Sequence, residues 1–318
     1  MKEQMRILIG YDGSTCAHAA LDDLRRAGLP RNAEAVILAV TEVWLPALPI
    51  KASVKAAESF AIPITNTRSP QAQVSTAVAP VSEARSLAVE AKARLQTRFS
   101  TWVIKAEESS GSPSHEILKR AAELKPHLIV VGCQGRSALG GFLLGSVSQK
   151  VVNEAHCTVR VCRGSAWKDG SPVRIVIGLD GTPSSELAVN AVASRAWPIS
   201  SEVRLVTVVD AINAETRENV VLQLKKNSAR SMKRDTVEEF MKEATERLRG
   251  AQLIVSTRIE EGDPKHVLIA DAEEWGADCI FLGTSAANNL LERFLLGNVA
   301  TAIVSRAHCS VEVVRCGY

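Results

Sequence analysis

Leu128-Ile-Val-Val-Gly132-Cys-Gln-Gly135-Arg136, answered further along by Gly145-Ser146-Val147-Ser148, is the stretch on which the fold turns. The aliphatic run is short and unbroken, as in a strand buried on both faces, and Ser146 to Glu154 reads as a helix. A chain that leaves a buried strand through glycines and enters a helix presents N–H groups without intrahelical acceptors at the positive end of the helix dipole. Such a turn offers them to an anion, most often a nucleotide phosphate. The spacing G-x2-G-x9-G-S is neither GxxxxGK[ST], which occurs nowhere in the chain, nor a GxGxxG after a strand. It describes a third kind of phosphate cradle.

Outward from this stretch the chain repeats itself. Arg6-Ile-Leu-Ile-Gly10-Tyr-Asp12-Gly-Ser realigns with Arg174-Ile-Val-Ile-Gly-Leu-Asp180-Gly-Thr, and Ala155-His-Cys-Thr-Val-Arg-Val-Cys-Arg163 with Ala307-His-Cys-Ser-Val-Glu-Val-Val-Arg315. Two copies suit a length of 318 residues, given roughly 150 residues per domain. The boundaries fall at 1–163 and 173–318, with the Gly-, Ser- and Lys-containing stretch 164–172 as linker.

In the first copy, Ile7–Ile9 and Ala35–Val40 are strands separated by a helical pattern from Thr15 to Ala27. From Leu45 to Pro80 five prolines and no sustained period predict mostly loop with at most one short helix, a stretch that either shields a ligand or is a surface insert. Ser82 to Arg98 reads as a helix and Thr101 to Ala106 as the third strand. Ser112-Pro113 gives an N-cap with proline at the first helical position, a device repeated by Asp263-Pro264. Leu128–Val131 is the fourth strand and Thr158–Cys162 the fifth. Strands alternating with helices predict an α/β fold of two tandem, doubly wound domains, because right-handed crossovers place helices on both faces of a parallel sheet.

Composition sets limits. Aromatic residues are 4% of the chain against 46% hydrophobic overall, so the core is aliphatic. A net charge of +3, with 38 basic and 35 acidic residues scattered, supplies no basic block for nucleic acid. No apolar run reaches the roughly 18 residues of a membrane span, and the first residues lead straight into a strand, which predicts a cytoplasmic protein. The seven cysteines contain no CxxC pair and read as small hydrophobes in a reducing compartment, with a redox role for Cys133 the minor alternative. The histidines show no zinc spacing, so no metal is expected.

The glycine spacing, together with Arg136 and Gly145-Ser-Val-Ser148, resembles the ATP-binding motif of the universal stress protein family. The likeness runs through both copies and is closer in the first, which has the strand-1 signature Ile9-Gly10-Tyr-Asp12-Gly-Ser14, a valine ending strand 2 at Val40, and the complete motif. The resemblance implies a parallel sheet of order 3-2-1-4-5 in each copy, so that Asp12 and Gly132 end neighbouring strands at the point where the order reverses. It further implies that Asp12 and the Val40 backbone contact adenine and ribose, with Gly10 in the same cofactor-binding turn. Gly132 and Gly135 would let backbone approach ribose and phosphate, by positive φ and the absence of Cβ. Gly145, Ser146, Val147 and Ser148 would bind phosphates through N–H groups and hydroxyls. Asp12 as a simple helix cap, and Arg136 facing water instead of phosphate, are the competing assignments. Gln134 stands where many family members carry histidine.

The second copy departs from this pattern. Asp180, Val208 and Gly283 persist, but Ala286 replaces the second glycine, the segment to Gly297 is one residue longer, and Asn298 and Ala300 replace Ser146 and Ser148. ATP is therefore expected in the first domain and weakly or not at all in the second; Mg²⁺ beside the phosphates is left open. The reading is a nucleotide-binding regulatory protein, read by a protein partner that the sequence does not name. A slow ATP-hydrolysing enzyme and a nucleotide-free scaffold are the alternatives. Against the enzyme, only Asp12-Gly-Ser14 follows strand 1, and no general base is recognisable near Ser146. The fifth strands alternate valine with polar residues, as edge strands do, and pair either with each other in a pseudo-dimer or between separate chains.

Overall fold

The computed structural model describes residues 4–42, 71–135, 144–164, 170–209, 237–284 and 297–316. The first half runs β1 (Met5–Gly10), α1 (Thr15–Asp23), β2 (Ala33–Glu42), α2 (Gln71–Arg98), β3 (Val103–Gly111), α3 (Pro113–Leu124), β4 (Leu128–Gly132), α4 (Ser146–Glu154) and β5 (Thr158–Cys162). The second half runs β6 (Arg174–Leu179), α5 (Pro183–Ala193), β7 (Glu202–Val209), α6 (Val237–Gly250), β8 (Ile254–Glu261), α7 (Pro264–Trp275), β9 (Cys279–Gly283), α8 (Asn298–Arg306) and β10 (Ser310–Val314).

Each half has the order 3-2-1-4-5, with parallel pairings throughout. The expected order holds in both copies, and the pairing left open between their fifth strands is made within the chain. The halves merge into a single ten-stranded sheet, β3-β2-β1-β4-β5-β10-β9-β6-β7-β8, through an antiparallel pairing of β5 with β10. Successive residues of a strand point to opposite faces, so a run such as Ile7-Leu8-Ile9 is buried throughout only if both faces are covered. Ile7 and Ile9 enter a cluster with α1 and α2, whereas Leu8 enters one that continues across both halves under α3, α4, α7 and α8. The second half's other face has its own cluster with α5 and α6. Removing a side chain such as Leu8 down to alanine costs about 2–5 kcal/mol.

The pairing of β5 with β10 is the first of the two alternatives left open for the fifth strands, the one inside the chain, and every residue of both strands is buried. Their polar residues face each other instead of water. Arg160 is opposite Glu312; its Nε donates to Asp23 at 2.5 Å and its Nη1 to Glu312 at 3.1 Å. Arg195 reaches the same carboxylate at 2.9 Å. At the ends of these strands two equivalent arginines cross over. Arg163 donates to the carbonyls of Val304 and Ser305 in the last turns of α8, at 2.8 and 3.2 Å, and Arg315 donates to Val152 in α4 at 2.5 Å. Each half thus satisfies carbonyls near the C-terminal end of the other's motif helix.

Three element boundaries differ from expectation. Helix α2 begins at Gln71 and passes through Pro80, where loop was predicted; prolines had marked a boundary that alanine-rich sequence overrides. The third strand is shifted, from Val103 to Gly111 instead of Thr101 to Ala106, because Glu107 to Ser110 lie on an edge strand where polar residues are tolerated. The first helix ends at Asp23 and finishes in a 3₁₀ turn, Leu24–Arg26. Most of the expected loop, residues 45–70, lies outside the described residues. No helix among the described residues is long and apolar enough to cross a membrane.

Candidate functional site

The carboxyl ends of β1 and β4 lie side by side and their following segments diverge, β1 into α1 and β4 toward α4. A cavity of about 700 Å³ opens there, within the usual range for small-molecule sites. One wall is Gly10 to Asp12 with Leu38, Val40 and Thr41 from the end of β2. The opposite wall is Gly132, Gln134 and Gly135 with Gly145 to Ser148, while Leu87 of α2 and Ile117 of α3 add apolar surface. Nine of the ten residues singled out from the sequence therefore line one cavity: Gly10, Asp12, Val40, Gly132, Gly135, Gly145, Ser146, Val147 and Ser148. The tenth, Arg136, lies outside the described residues, as does Ala286 of the second copy.

The turn after β1 shows what Asp12 does. Its Oδ1 accepts from the N–H of Ser14 at 3.0 Å, Gly13 takes a φ of 75°, and Ser14 is the cap of α1, accepting from Ala17 N–H at 3.1 Å. Helix capping thus belongs to Ser14. The other oxygen of Asp12 looks across the crevice, since a Cβ built on Gly135 stands 3.0 Å from it and, among the described residues, meets nothing else within 4 Å.

Gly132 has a different reason. A Cβ there stands 2.9 Å from the carbonyl carbon of Cys16 and 3.1 Å from Ala17 N, so the glycine is required by the approach of α1. Neither it nor Gly135 has a positive φ, which corrects that part of the expectation; space is what they supply. Gly283 in the second copy is more constrained still, with a built Cβ only 1.7 Å from Ser184 O. The glycine that both copies share is thus the one packing demands.

Two of the candidate phosphate-binding residues make bonds within the protein. The Gly145 N–H donates to Cys133 O at 2.8 Å, and the Ser148 hydroxyl donates to Gly132 O at 2.6 Å with its side chain buried. These bonds fasten the start of α4 to the end of β4. Gly145 caps α4 without a side-chain oxygen, so the first-turn N–H groups at Ser146 to Ser148, with the Ser146 hydroxyl, are the donors this helix end brings to the cavity. Ser112, expected as a side-chain cap of α3, occupies the position but makes no cap hydrogen bond; Asp263, its counterpart, caps α7 through Lys265 N–H at 2.9 Å.

The model of the universal stress protein family matches residues 4–163 and again residues 173–315. The chain belongs to the universal stress protein family. A universal stress protein of Staphylococcus haemolyticus is 34% identical over 142 residues, 44% of this chain and 83% of that relative. One of Mycobacterium tuberculosis is 29% identical over 215 residues, 60% of this chain and 62% of that relative. Among solved structures, a universal stress protein from Archaeoglobus fulgidus aligns over 98% of this chain and 96% of its own, with a TM-score of 0.63 at 18% identity. At that identity the likeness concerns the fold.

One grouping in this universal stress protein escaped sequence reasoning. Cys16, in the first turn of α1, has its Sγ 3.1 Å from Sγ of Cys133, which follows β4. Burial, and next the contact with Cys16, pushes the Cys133 thiol up to about 12, whereas the nearby Arg163 guanidinium acts the other way. Burial lowers the pKa of Arg163 in turn. Only the position of Cys16 two residues beyond the Asp12-Gly-Ser14 turn could have signalled the pairing.

Proposed function

We propose that the first half, residues 1–163, binds ATP in this crevice and that the protein is a regulator whose nucleotide occupancy is read by a partner. The supporting observation is the meeting of Asp12 and Gly135 beside the start of α4, whose cap Gly145 brings no side-chain oxygen: a carboxylate oxygen, a surface lacking side chain and a helix start converge on one cavity. The dipole and free N–H groups of α4 favour the phosphates. Leu38 and Val40 offer the adenine an apolar edge, and Asp12 accepts from ribose hydroxyls. Among the described residues no three His, Cys, Asp or Glu side chains gather as a metal site. A magnesium ion in this reading is carried by the phosphates and water.

The second half, residues 173–318, is the weaker site or none: Asn298 begins α8 and Ala300 is buried where the first half has serine hydroxyls. The stretch 164–172 joins the two, and the protein works in the cytoplasm. Denaturing freshly purified protein and identifying the released nucleotide by mass spectrometry tests the proposal, together with titration of emptied protein with ATP. Binding of one equivalent, lost in Gly135→Leu, is expected. Absence of binding favours the scaffold, and steady turnover that stops in Asp12→Ala favours an enzyme.

A further inference from the structure

Cys16 and Cys133 come from elements 117 residues apart, yet their sulfurs are 3.1 Å from each other. Both are partly exposed, unlike Cys157, Cys162, Cys279 and Cys309, which are buried. Arg163 follows Cys162, whose carbonyl accepts from Cys133 N–H at 3.1 Å; it is 6% exposed, and its buried Nη1 has no hydrogen-bond partner among the described residues. Its other terminal nitrogen holds the carbonyls of Val304 and Ser305. The ionisable groups that act on its charge are thiols, Cys133, Cys309 and Cys16, in that order. A guanidinium in such a place is the counter-ion for whichever thiol ionises.

The second copy supplies an internal comparison. Its equivalents of Cys16 and Cys133 are Ser184 and Thr284. Arg315 stands in place of Arg163, and its buried Nη1 likewise has no hydrogen-bond partner among the described residues. The arginine is thus common to both halves, while the sulfur pair belongs to the first.

We infer that Cys16 and Cys133 form an oxidation site, closed to an internal disulfide by a peroxide with Arg163 as the counter-cation of the reacting thiolate. One thiol releases its proton to solvent, and its sulfur attacks a peroxide oxygen. The O–O bond breaks, leaving a sulfenic acid and, for hydrogen peroxide, one water after protonation. The second sulfur attacks the sulfenyl sulfur, the S–O bond breaks, and a second water departs with the second thiol's proton. Two thiols are oxidised and one peroxide is reduced to two waters. The bridge fastens α1 to the turn after β4, whatever nucleotide the adjoining crevice holds. The raised Cys133 thiol makes this a slow reaction whose rate climbs with pH, and a poor leaving thiolate makes the bridge resistant to reduction.

The test uses the full chain carrying Cys316→Ser, which removes the exposed thiol. After treatment with hydrogen peroxide, free thiols are alkylated and the protein is digested without reductant for mass spectrometry. The expected product is one cross-linked pair containing Cys16 and Cys133, two hydrogens lighter than the sum of the reduced peptides and separated by dithiothreitol. Alkylation of both cysteines after treatment overturns the inference, as do their separate conversion to sulfinic acids and bridging to other cysteines. Arg163→Gln is expected to slow bridging about tenfold and move its pH profile upward, and Arg163→Lys to restore much of the rate. An unchanged profile in Arg163→Gln overturns the role of the arginine.

Discussion

Arg160 and Glu312 face each other across the antiparallel junction of the two halves, 3.1 Å apart and almost wholly withdrawn from water. They occupy equivalent positions in the two copies, so the pseudo-twofold that relates the halves brings an arginine onto a glutamate. Asp23 extends the row on one side and Arg195 on the other, giving signs that alternate through the junction. Two first halves in the same arrangement would place Arg160 against Arg160, without the alternation. The charges thus favour the pairing of unlike halves, a use of buried ions better supported than any gain in stability.

Removing one charge from this row leaves its neighbours buried and uncompensated. Glu312→Gln is expected to cost about 3–5 kcal/mol, seen as a lower urea midpoint. Replacing Arg160, Glu312, Asp23 and Arg195 together with apolar residues of similar size is expected to cost much less. A small effect of the single change would show that water reaches the junction.

The two glycines after β4 separate packing from binding. Gly132→Ala forces a Cβ against the backbone of α1 and is expected to cost about 1–3 kcal/mol. Gly135→Leu, whose side chain enters the cavity beside Asp12, is expected to leave the urea midpoint nearly unchanged and to weaken ATP at least about tenfold, about 1.4 kcal/mol. Calorimetric titration beside denaturation curves distinguishes the two.

How much of this was legible in the sequence follows from the range of the interactions. Strands such as Ile7–Ile9 and Leu128–Val131 announce themselves because burial on both faces demands unbroken aliphatic runs, whereas their order came from the family resemblance. The alternation of valine with charge at Arg160 and Glu312 marks strands that pair at an edge, but the choice between a partner inside the chain and one outside it, and the row of buried ions, come only with the structure. Gly132 and Gly135 look alike in a motif, yet one faces α1 and the other the crevice. The sulfur contact of Cys16 with Cys133 has no spacing to betray it, since the sheet order alone brings the two together.

Arg315 carries the second half's influence into the first. Its bond to Val152 satisfies a carbonyl in the last turns of α4, so Arg315→Met is expected to cost about 1–3 kcal/mol and to weaken ATP through a loosened α4. The readouts are hydrogen exchange confined to residues 146–154 and nucleotide titration. Unaltered exchange in α4 would remove that link.

Buried thiols predict alkaline sensitivity. Burial raises Cys157 and Cys309 from 9.0 to about 12. The folded state prefers the neutral thiol, so this contribution is intact below pH 9 and is lost as pH climbs toward 12. The decline is up to about 1.4 kcal/mol per pH unit for each thiol. Urea midpoints at pH 8 and pH 10 measure it, and Cys157→Ala is expected to flatten the decline.

A junction between β5 and β10 that lies inside one polypeptide has no dissociation constant in the ordinary sense. Dilution, which dismantles an assembly of separate subunits, leaves the tethered halves at the same effective concentration toward each other. The partnership of the two halves is therefore stoichiometric at any abundance of the protein, and a cell making a few copies obtains the same assembled unit as one making thousands.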